Sequence, residues 1–254
     1  MHYKIFGDIH GRTKWRKYIT DFENTTYIFV GDYTDPYEDE NISFKQMYGE
    51  LKDIVRIKKK HPDNVVLLLG NHDYQYINTM KECKRFDLKN CKTLYKFFEK
   101  NTDLFDVAHN IGEKYFITHA GLSKHFYKQW FDEDYDYEKT PLSVLTYKIN
   151  TLFKNNMDVF CFDFNCCYVD DHYGWSHTHS PIWIRPDGLK ESNIFEEYNK
   201  TVTCENRIVQ IFGHTYPYKS PVEIDIYFRA SSPLIDIDVL SEYDWCLEFD
   251  YEQN

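Results

Sequence analysis

The sequence of 254 residues lacks any apolar stretch approaching the roughly 18 residues that a membrane-spanning helix requires. We therefore expect no membrane partner. Residues 1–6 also contain too few apolar side chains before Asp8 for a secretory signal, which predicts a cytoplasmic protein. Disorder is excluded as well, because 42% of the residues are hydrophobic and 18% are aromatic.

Cysteine is sparse and irregularly spaced, with 7 residues in no disulfide framework. A chain of this length buries enough core without crosslinks, so reduced thiols are expected. The tightest group of potential zinc ligands consists of Cys161, Cys166, Cys167, His172, His177 and His179. Its spacing matches no zinc finger or ribbon, so a loop with ordinary thiols is the preferred interpretation and a zinc site the alternative.

The sequence also has fewer basic than acidic residues: 30 Lys and Arg against 41 Asp and Glu, which gives a net charge of −11. This balance makes nucleic acid, itself a polyanion, an unexpected partner. One basic strip stands out, formed by Lys81, Lys84, Arg85, Lys89, Lys92, Lys96 and Lys100. We interpret it as the solvent-exposed face of a helix, and attraction of an anionic substrate or partner is the alternative.

The main positive feature is a short apolar run that ends in Gly or Thr and continues into Asp, His or Asn. It occurs at residues 3–6, 27–30, 65–69, 115–117 and 208–212. Continuous apolar runs predict buried β-strands, and open α/β sheets bind ligands at the carboxyl ends of such strands. The first apolar run, residues 3–6, is followed by Asp8, and the last, residues 208–212, is followed by His214, so both polar residues are predicted at strand ends.

Helices are predicted where apolar residues recur three and four positions apart, from Phe44 onward, at 92–100 and at 142–153. From about residue 222, alternating apolar residues predict closing strands. The segment 154–206 has no clear period, and we interpret it as an irregular insertion bordering the site. No linker or internal repeat interrupts the chain, which favours a single domain over residues 1–254.

The polar residues at the five strand ends are Asp8, His10, Asp32, Asn71, His119 and His214. This mixture of carboxylate, amide and imidazole groups suits two divalent ions, with Mn preferred and Fe, Zn, Co or Ni as alternatives. Asp8 and His10 lie close enough in the sequence to bind one ion. A second ion could be bound by Asn71, His119 and His214, and Asp32 has two oxygens with which it could bridge both ions. Two ions about 3.5–4 Å apart can clamp a phosphoryl group and share a bridging hydroxide as nucleophile.

These residues lie in five blocks, which are Gly7-Asp8-Ile9-His10-Gly11, Gly31-Asp32-Tyr33-Thr34-Asp35, Gly70-Asn71-His72-Asp73, His119-Ala120-Gly121 and Gly213-His214. In order and spacing they resemble the calcineurin-like metallophosphoesterases. The pattern is most similar to the phosphoprotein phosphatase branch, including bacterial and phage serine/threonine phosphatases and diadenosine tetraphosphate hydrolases. The resemblance implies a four-layer α/β sandwich (αββα) of two mixed β-sheets flanked by helices, with a dinuclear site at the strand ends.

Two catalytic residues follow from the same resemblance. His72 resembles the histidine that protonates the leaving group, and Asp35 matches the carboxylate that orients it. A turn residue before Pro36 is the alternative for Asp35. Asn71 is also expected to bind substrate.

The sequence differs from the phosphatase branch at Pro36, where that branch usually has an arginine that binds the phosphate. Arg185, in a Trp-x-Arg-Pro stretch, is the first candidate to bind substrate instead, and Arg12 and Arg229 are further candidates.

The predicted activity is hydrolysis of phosphomonoesters, on phosphoprotein or on small phosphorylated molecules. Cleavage of dinucleoside polyphosphates is the main alternative. A nucleic-acid phosphodiesterase is disfavoured by the charge of −11. A non-catalytic binding module is disfavoured because none of the six ligands is missing.

Overall fold

A computed structural model of the chain describes residues 1–78, 84–162, 179–216 and 233–252. The chain divides into two compact units, Met1–Asp106 with Asp238–Asn254, and Val107–Ile237. Each unit has its own four-stranded mixed β-sheet. This confirms the α/β class with two mixed sheets and accompanying helices, whereas the single domain with an insertion at 154–206 stays a prediction.

The sheet of the first unit is formed by β1 (His2–Phe6), β2 (Thr25–Phe29), β3 (Val65–Leu67) and β8 (Leu247–Asp250). Its order is β3-β2-β1-β8, with β1, β2 and β3 parallel and β8 antiparallel.

The three parallel strands of this sheet end in register. Phe6 pairs with Phe29, and Phe29 pairs with Leu67. The residues that follow β1, β2 and β3 therefore meet at one sheet edge, as the sequence predicted.

The helices of the first unit are α1 (Phe44–Lys60), α2 (Asn71–Tyr74) and α3 (Cys91–Asn101). The backbone N–H of Gln46 donates to the side chain of Ser43, which caps α1. Met47, Leu51 and Ile54 recur at helical spacing and are buried, which confirms the predicted apolar face.

The sheet of the second unit has the order β4-β5-β6-β7, and β4 is its antiparallel edge strand. Its strands are β4 (Ala108–Ile111), β5 (Tyr115–Thr118), β6 (Val209–Phe212) and β7 (Leu234–Asp236). Its helices are α4 (Lys124–Phe131), α5 (Leu142–Asn155), α6 (Pro186–Ser192) and α7 (Glu196–Thr201).

The predicted helix at 142–153 corresponds to α5, and the described part of the segment 154–206 contains α6 and α7. Residues 163–178, with two cysteines and two histidines of the zinc alternative, lie outside the described residues, as do the alternating residues 224–228. In the part of the chain that is described, every helix is too short or too polar to cross a membrane.

Candidate metal centre

The loops after β1, β2 and β3 are tied to one another by the backbone and side chain of Asp32. Its carbonyl accepts the N–H groups of Ile9 at 3.1 Å and His10 at 2.6 Å. Its Oδ1 accepts the N–H of His72 at 2.9 Å. A Cβ at Gly70 would lie 2.0 Å from this Oδ1, so only glycine fits beside the carboxylate.

A second buried carboxylate, Asp73, locks the same loops. Its Oδ1 accepts the N–H groups of Tyr33 at 2.9 Å and Thr34 at 3.2 Å, and the hydroxyl of Thr34 at 3.1 Å. Each of these bonds joins the turn after β3 to the turn after β2. No sequence signal distinguished Asp73, which in the structure positions the neighbouring site residues.

Several predicted site residues have a left-handed backbone conformation. Among the described residues, the non-glycine residues with positive φ are His10, Asp32, Asp35, Asn41, Arg85, Asp132 and His214. Asn41 and Asp132 end helical turns, where this conformation is common. The remaining five hold polar side chains in an energetically costly conformation, which is a feature of functional sites.

Asp8, His10 and Asp32 form a buried cluster in which one ligand atom of each residue lies within 4.8 Å of the others. His10 Nδ1 lies 2.6 Å from the carbonyl of Thr34, which can only accept, so Nδ1 carries the proton. The lone pair of Nε2 is then left facing Asp32 Oδ2 at 3.6 Å and Asp8 Oδ2 at 3.9 Å. Two oxygens and one imidazole nitrogen in this arrangement fit a divalent cation.

The electrostatics of the cluster also favour a cation. Burial raises the pKa of Asp32 to about 8, against the hydrogen bond from His72 that lowers it. Burial, followed by the nearby charges of His72 and Arg85, holds the pKa of His10 well below its usual range. His10 is therefore neutral, the form that binds metal, while Asp32 needs a positive partner in order to ionise.

His72 and Asp35 contact each other next to this cluster. His72 Nδ1 donates to Asp35 Oδ2 at 2.9 Å. Asp35 Oδ1 accepts the hydroxyl of Tyr76 at 2.5 Å, and Gln75 Nε2 donates to Oδ2. Burial raises the pKa of Asp35 to about 8, while the bond from Tyr76 lowers it. The geometry supports an orienting role for Asp35 over that of a plain turn residue.

Gln75 and Tyr76 were missed by the sequence analysis. They follow His72 by three and four positions, the spacing at which side chains share one face of a helical turn. This spacing is the sequence feature that could have placed them beside His72. Asn71 is buried at the start of α2, and its roles in binding metal and substrate stay predictions.

In the second unit, His119 and His214 lie side by side with ring centroids 5.1 Å apart. The N–H of Gly213 donates to the carbonyl of His119 at 2.8 Å, which joins the two strand ends. Arg185 Nη1 donates to the hydroxyl of Thr215 at 3.1 Å. Arg185 thus lies beside the segment that carries His214, and its role in binding substrate stays a prediction.

The other arginine candidates differ. Arg12 donates from Nε to Glu40 at 2.7 Å and from Nη1 to the carbonyl of Asp8 at 3.0 Å, so it supports the loop after β1. Arg229 lies outside the described residues.

Arg85, unassigned in the sequence analysis except as part of the basic strip, lies in the site. Its Nη2 is 2.9 Å from His72 Nε2 and 3.4 Å from His10 Nε2. The interpretation of the strip as an exposed helix face is correct for Lys92, Lys96 and Lys100 of α3 and wrong for Arg85, which is half-buried and precedes that helix.

The chain belongs to the calcineurin-like phosphoesterase family, whose model matches residues 1–218. It is accordingly a hydrolase of the metal-dependent phosphoesterase class, and its family implies a phosphorylated substrate.

Solved structures share the fold. A serine/threonine phosphatase from Saccharomyces cerevisiae with similarity to human phosphatase PP5 is 17% identical, with a TM-score of 0.52 over 93% of this chain and 67% of that chain. A mutant of a cold-active protein tyrosine phosphatase is 16% identical, with a TM-score of 0.54 over 95% of this chain and 72% of that chain. At these identities the likeness concerns the fold alone.

Proposed function

We propose that this phosphoesterase hydrolyses phosphomonoesters, on phosphoprotein or on small phosphorylated molecules, with two divalent metal ions. The observation that carries the proposal is the buried cluster of Asp8, His10 and Asp32 beside the hydrogen-bonded pair of Asp35 and His72. A metal-binding carboxylate–imidazole cluster next to an oriented histidine combines charge stabilisation with proton donation.

Asp8, His10 and Asp32 would hold the first ion. For the second we retain the prediction from sequence, in which Asn71, His119 and His214 contribute and Asp32 is shared. When bound, such a pair stabilises negative charge on a phosphoryl group and provides ionised water at neutral pH. We propose manganese as the metal, and the mixed oxygen and nitrogen ligands also suit iron, zinc, cobalt or nickel.

The protein's own residues would then manage the leaving group. In its cationic form, with a proton on each ring nitrogen, His72 donates the Nε2 proton to the oxygen of the departing alcohol and becomes neutral, so that the products are a neutral alcohol and inorganic phosphate. Asp35 accepts a hydrogen bond from Nδ1–H, which orients the ring and stabilises its cationic form. Tyr76 and Gln75 keep Asp35 in place through their hydrogen bonds. Asn71 and Arg185 are proposed to bind oxygens of the substrate.

A cytoplasmic location remains part of the proposal. It rests on the sequence, in which 7 irregularly spaced cysteines match no disulfide framework.

The proposal is tested by comparing Asp32→Asn with the matched control Asp39→Asn, an exposed residue outside the site. We expect Asp32→Asn to lose bound metal and nearly all activity together, while the control keeps both. Elemental analysis of the manganese-loaded protein gives the first readout. A variant that retains about two ions per chain would contradict the bridging role.

Substrate class is tested with a hydrolysis panel on the manganese-loaded protein. The panel contains p-nitrophenyl phosphate, bis-p-nitrophenyl phosphate, phosphopeptides and diadenosine polyphosphates. Preference for the monoester and phosphopeptides supports the proposal, and preference for diadenosine polyphosphates would establish the alternative. Activity that survives exhaustive chelation would remove the metal-dependent mechanism.

A further inference from the structure

The segment that carries Arg85 is anchored to the hydrogen-bond network of Asp35. The N–H of Asp87 donates to the hydroxyl of Tyr76 at 2.8 Å. The ring of Phe86 stacks on that of Tyr76, with centroids 5.1 Å apart and planes 16° apart. These contacts hold Arg85 at φ 66°, a costly conformation that it shares with His10, Asp32 and Asp35.

The guanidinium of Arg85 is pre-positioned beside the catalytic histidine. It lies over the ring of Tyr37, with its central carbon 3.6 Å from the ring centroid. Its Nη2 donates to His72 Nε2, whereas its buried Nε has no hydrogen-bond partner in the described structure. No carboxylate of the described residues forms a salt bridge with it, unlike Arg12. The Nε–H donor of this guanidinium is therefore free for a ligand, and its charge has no carboxylate partner among the described residues.

We propose that Arg85 grips the phosphoryl group of the substrate, the task for which no arginine is present at Pro36. This inference rests on the proposed function. A phosphate oxygen carries charge and accepts a guanidinium hydrogen bond more strongly than a neutral imidazole does, so it displaces His72 as the partner. The ring of Tyr37 keeps the planar group oriented for two parallel hydrogen bonds.

The test measures binding of inorganic phosphate by calorimetry to the manganese-loaded wild type, Arg85→Ala, Arg85→Lys and Lys84→Ala. Lys84→Ala is the matched control, because it removes an exposed positive charge from the adjacent position. Arg85→Ala should weaken phosphate binding by more than about tenfold while elemental analysis shows unchanged metal content. Arg85→Lys should fall in between, and Lys84→Ala should stay close to wild type.

The outcomes separate this inference from the proposed function. Unchanged or tighter phosphate binding in Arg85→Ala, with a wild type that binds phosphate and hydrolyses monoesters, overturns only the role of Arg85. Equal weakening in Lys84→Ala would reduce the effect to local charge and overturn it too. A wild type that neither binds phosphate nor hydrolyses any ester would overturn both.

A different observation concerns a groove of about 520 Å³ between α1 and α3. Five cationic side chains line it, and no Asp or Glu does, in a chain whose net charge is −11. These side chains are Lys52, Arg56, Lys59, Lys96 and Lys100. The groove thus concentrates positive charge against the sign of the whole protein, which attracts anionic groups.

The aromatic residues of the groove disfavour a nucleobase as its occupant. Tyr48 stacks on Phe44 at 5.4 Å and has the ammonium of Lys52 4.7 Å from its ring centroid. Phe97 meets Tyr48 edge-on and also contacts Phe98. Tyr48 is thus already stacked on an aromatic ring and near an ammonium group, whereas lysines suit single carboxylates as point charges.

We also infer that this groove binds an acidic peptide segment, and this inference is independent of the catalytic site. The probe is a fluorescein-labelled oligoglutamate peptide, followed by fluorescence anisotropy at low salt. Lys96→Glu/Lys100→Glu should weaken binding at least about fivefold. The matched control, Lys89→Glu/Lys92→Glu, makes the same charge change at exposed residues that do not line the groove.

Weaker binding in the groove variant alone supports the inference. Equal weakening in both double variants would mean attraction by overall charge and would overturn it. A wild type that fails to bind oligoglutamate, or that binds an oligothymidylate more tightly through the same lysines, would overturn it as well.

Discussion

Replacing Asp35 by Asn tests how the site would prepare His72, the proposed general acid. The carboxylate accepts three hydrogen bonds, from His72, Tyr76 and Gln75. Asn has nearly the same shape but offers one oxygen and an NH₂ group. Because all three partners present donors, the amide must set its NH₂ group against one of them. The cationic form of His72 also loses its charged partner.

The expected loss follows from the burial of this pair. Asp35 is 2% exposed, so solvent screens its interaction with His72 little. A hydrogen bond to a charged partner contributes about 1.5–3 kcal/mol, which corresponds to roughly 10- to 150-fold in rate if it is needed in the transition state. Tyr76→Phe keeps the carboxylate and removes one neutral donor, so about 1 kcal/mol, or roughly fivefold, is expected.

The assay compares kcat for phenyl phosphate and p-nitrophenyl phosphate in wild type, Asp35→Asn and Tyr76→Phe, with metal content measured in each. The loss should be large for phenyl phosphate, whose leaving group needs a proton, and clearly smaller for p-nitrophenyl phosphate. Equal losses on both esters with metals intact would refute the reasoning, because Asp35 would then not act through proton donation by His72.

Three further predictions concern the same site. His72→Asn should keep its metals and lose about 10²–10⁴-fold with phenyl phosphate, and less with p-nitrophenyl phosphate; kcat on the two esters decides this. Gly70→Ala should lose metal by elemental analysis, because its Cβ would lie 2.0 Å from Asp32 Oδ1, whereas Gly49→Ala, which meets nothing within 4 Å, should retain it. Because the pKa of Asp32 is raised to about 8, the metal-free carboxyl is protonated below that pH. Metal binding should therefore release protons and strengthen as pH rises toward 8, as calorimetry in buffers of different ionisation enthalpy would show; buffer-independent heats would contradict it.

Local sequence determined the strands and helices that build the site. Apolar runs such as 65–69 bury both faces of a strand, and the periodic residues of α1 bury one face, so short-range patterns sufficed. Gly70 and Gly31 mark sharp turns directly in the sequence, which is why the polar residues after each strand could be grouped. The edge strand β4 was missed because His109 and Asn110 interrupt its apolar pattern, whereas β7 and β8 lie in the region from about residue 222 where alternation predicted closing strands.

The tertiary structure alone decided which residues complete the site. Arg85 is separated from His72 by 13 positions, and its backbone is held by contacts of Phe86 and Asp87 with Tyr76. No periodicity or motif around Arg85 predicts such contacts. From the sequence alone, Arg85 is therefore indistinguishable from the other residues of the basic strip. The predicted metal ligands could be identified from the sequence because each of them directly follows an apolar strand. The residues that contact those ligands come from distant segments, so their positions depend on tertiary packing.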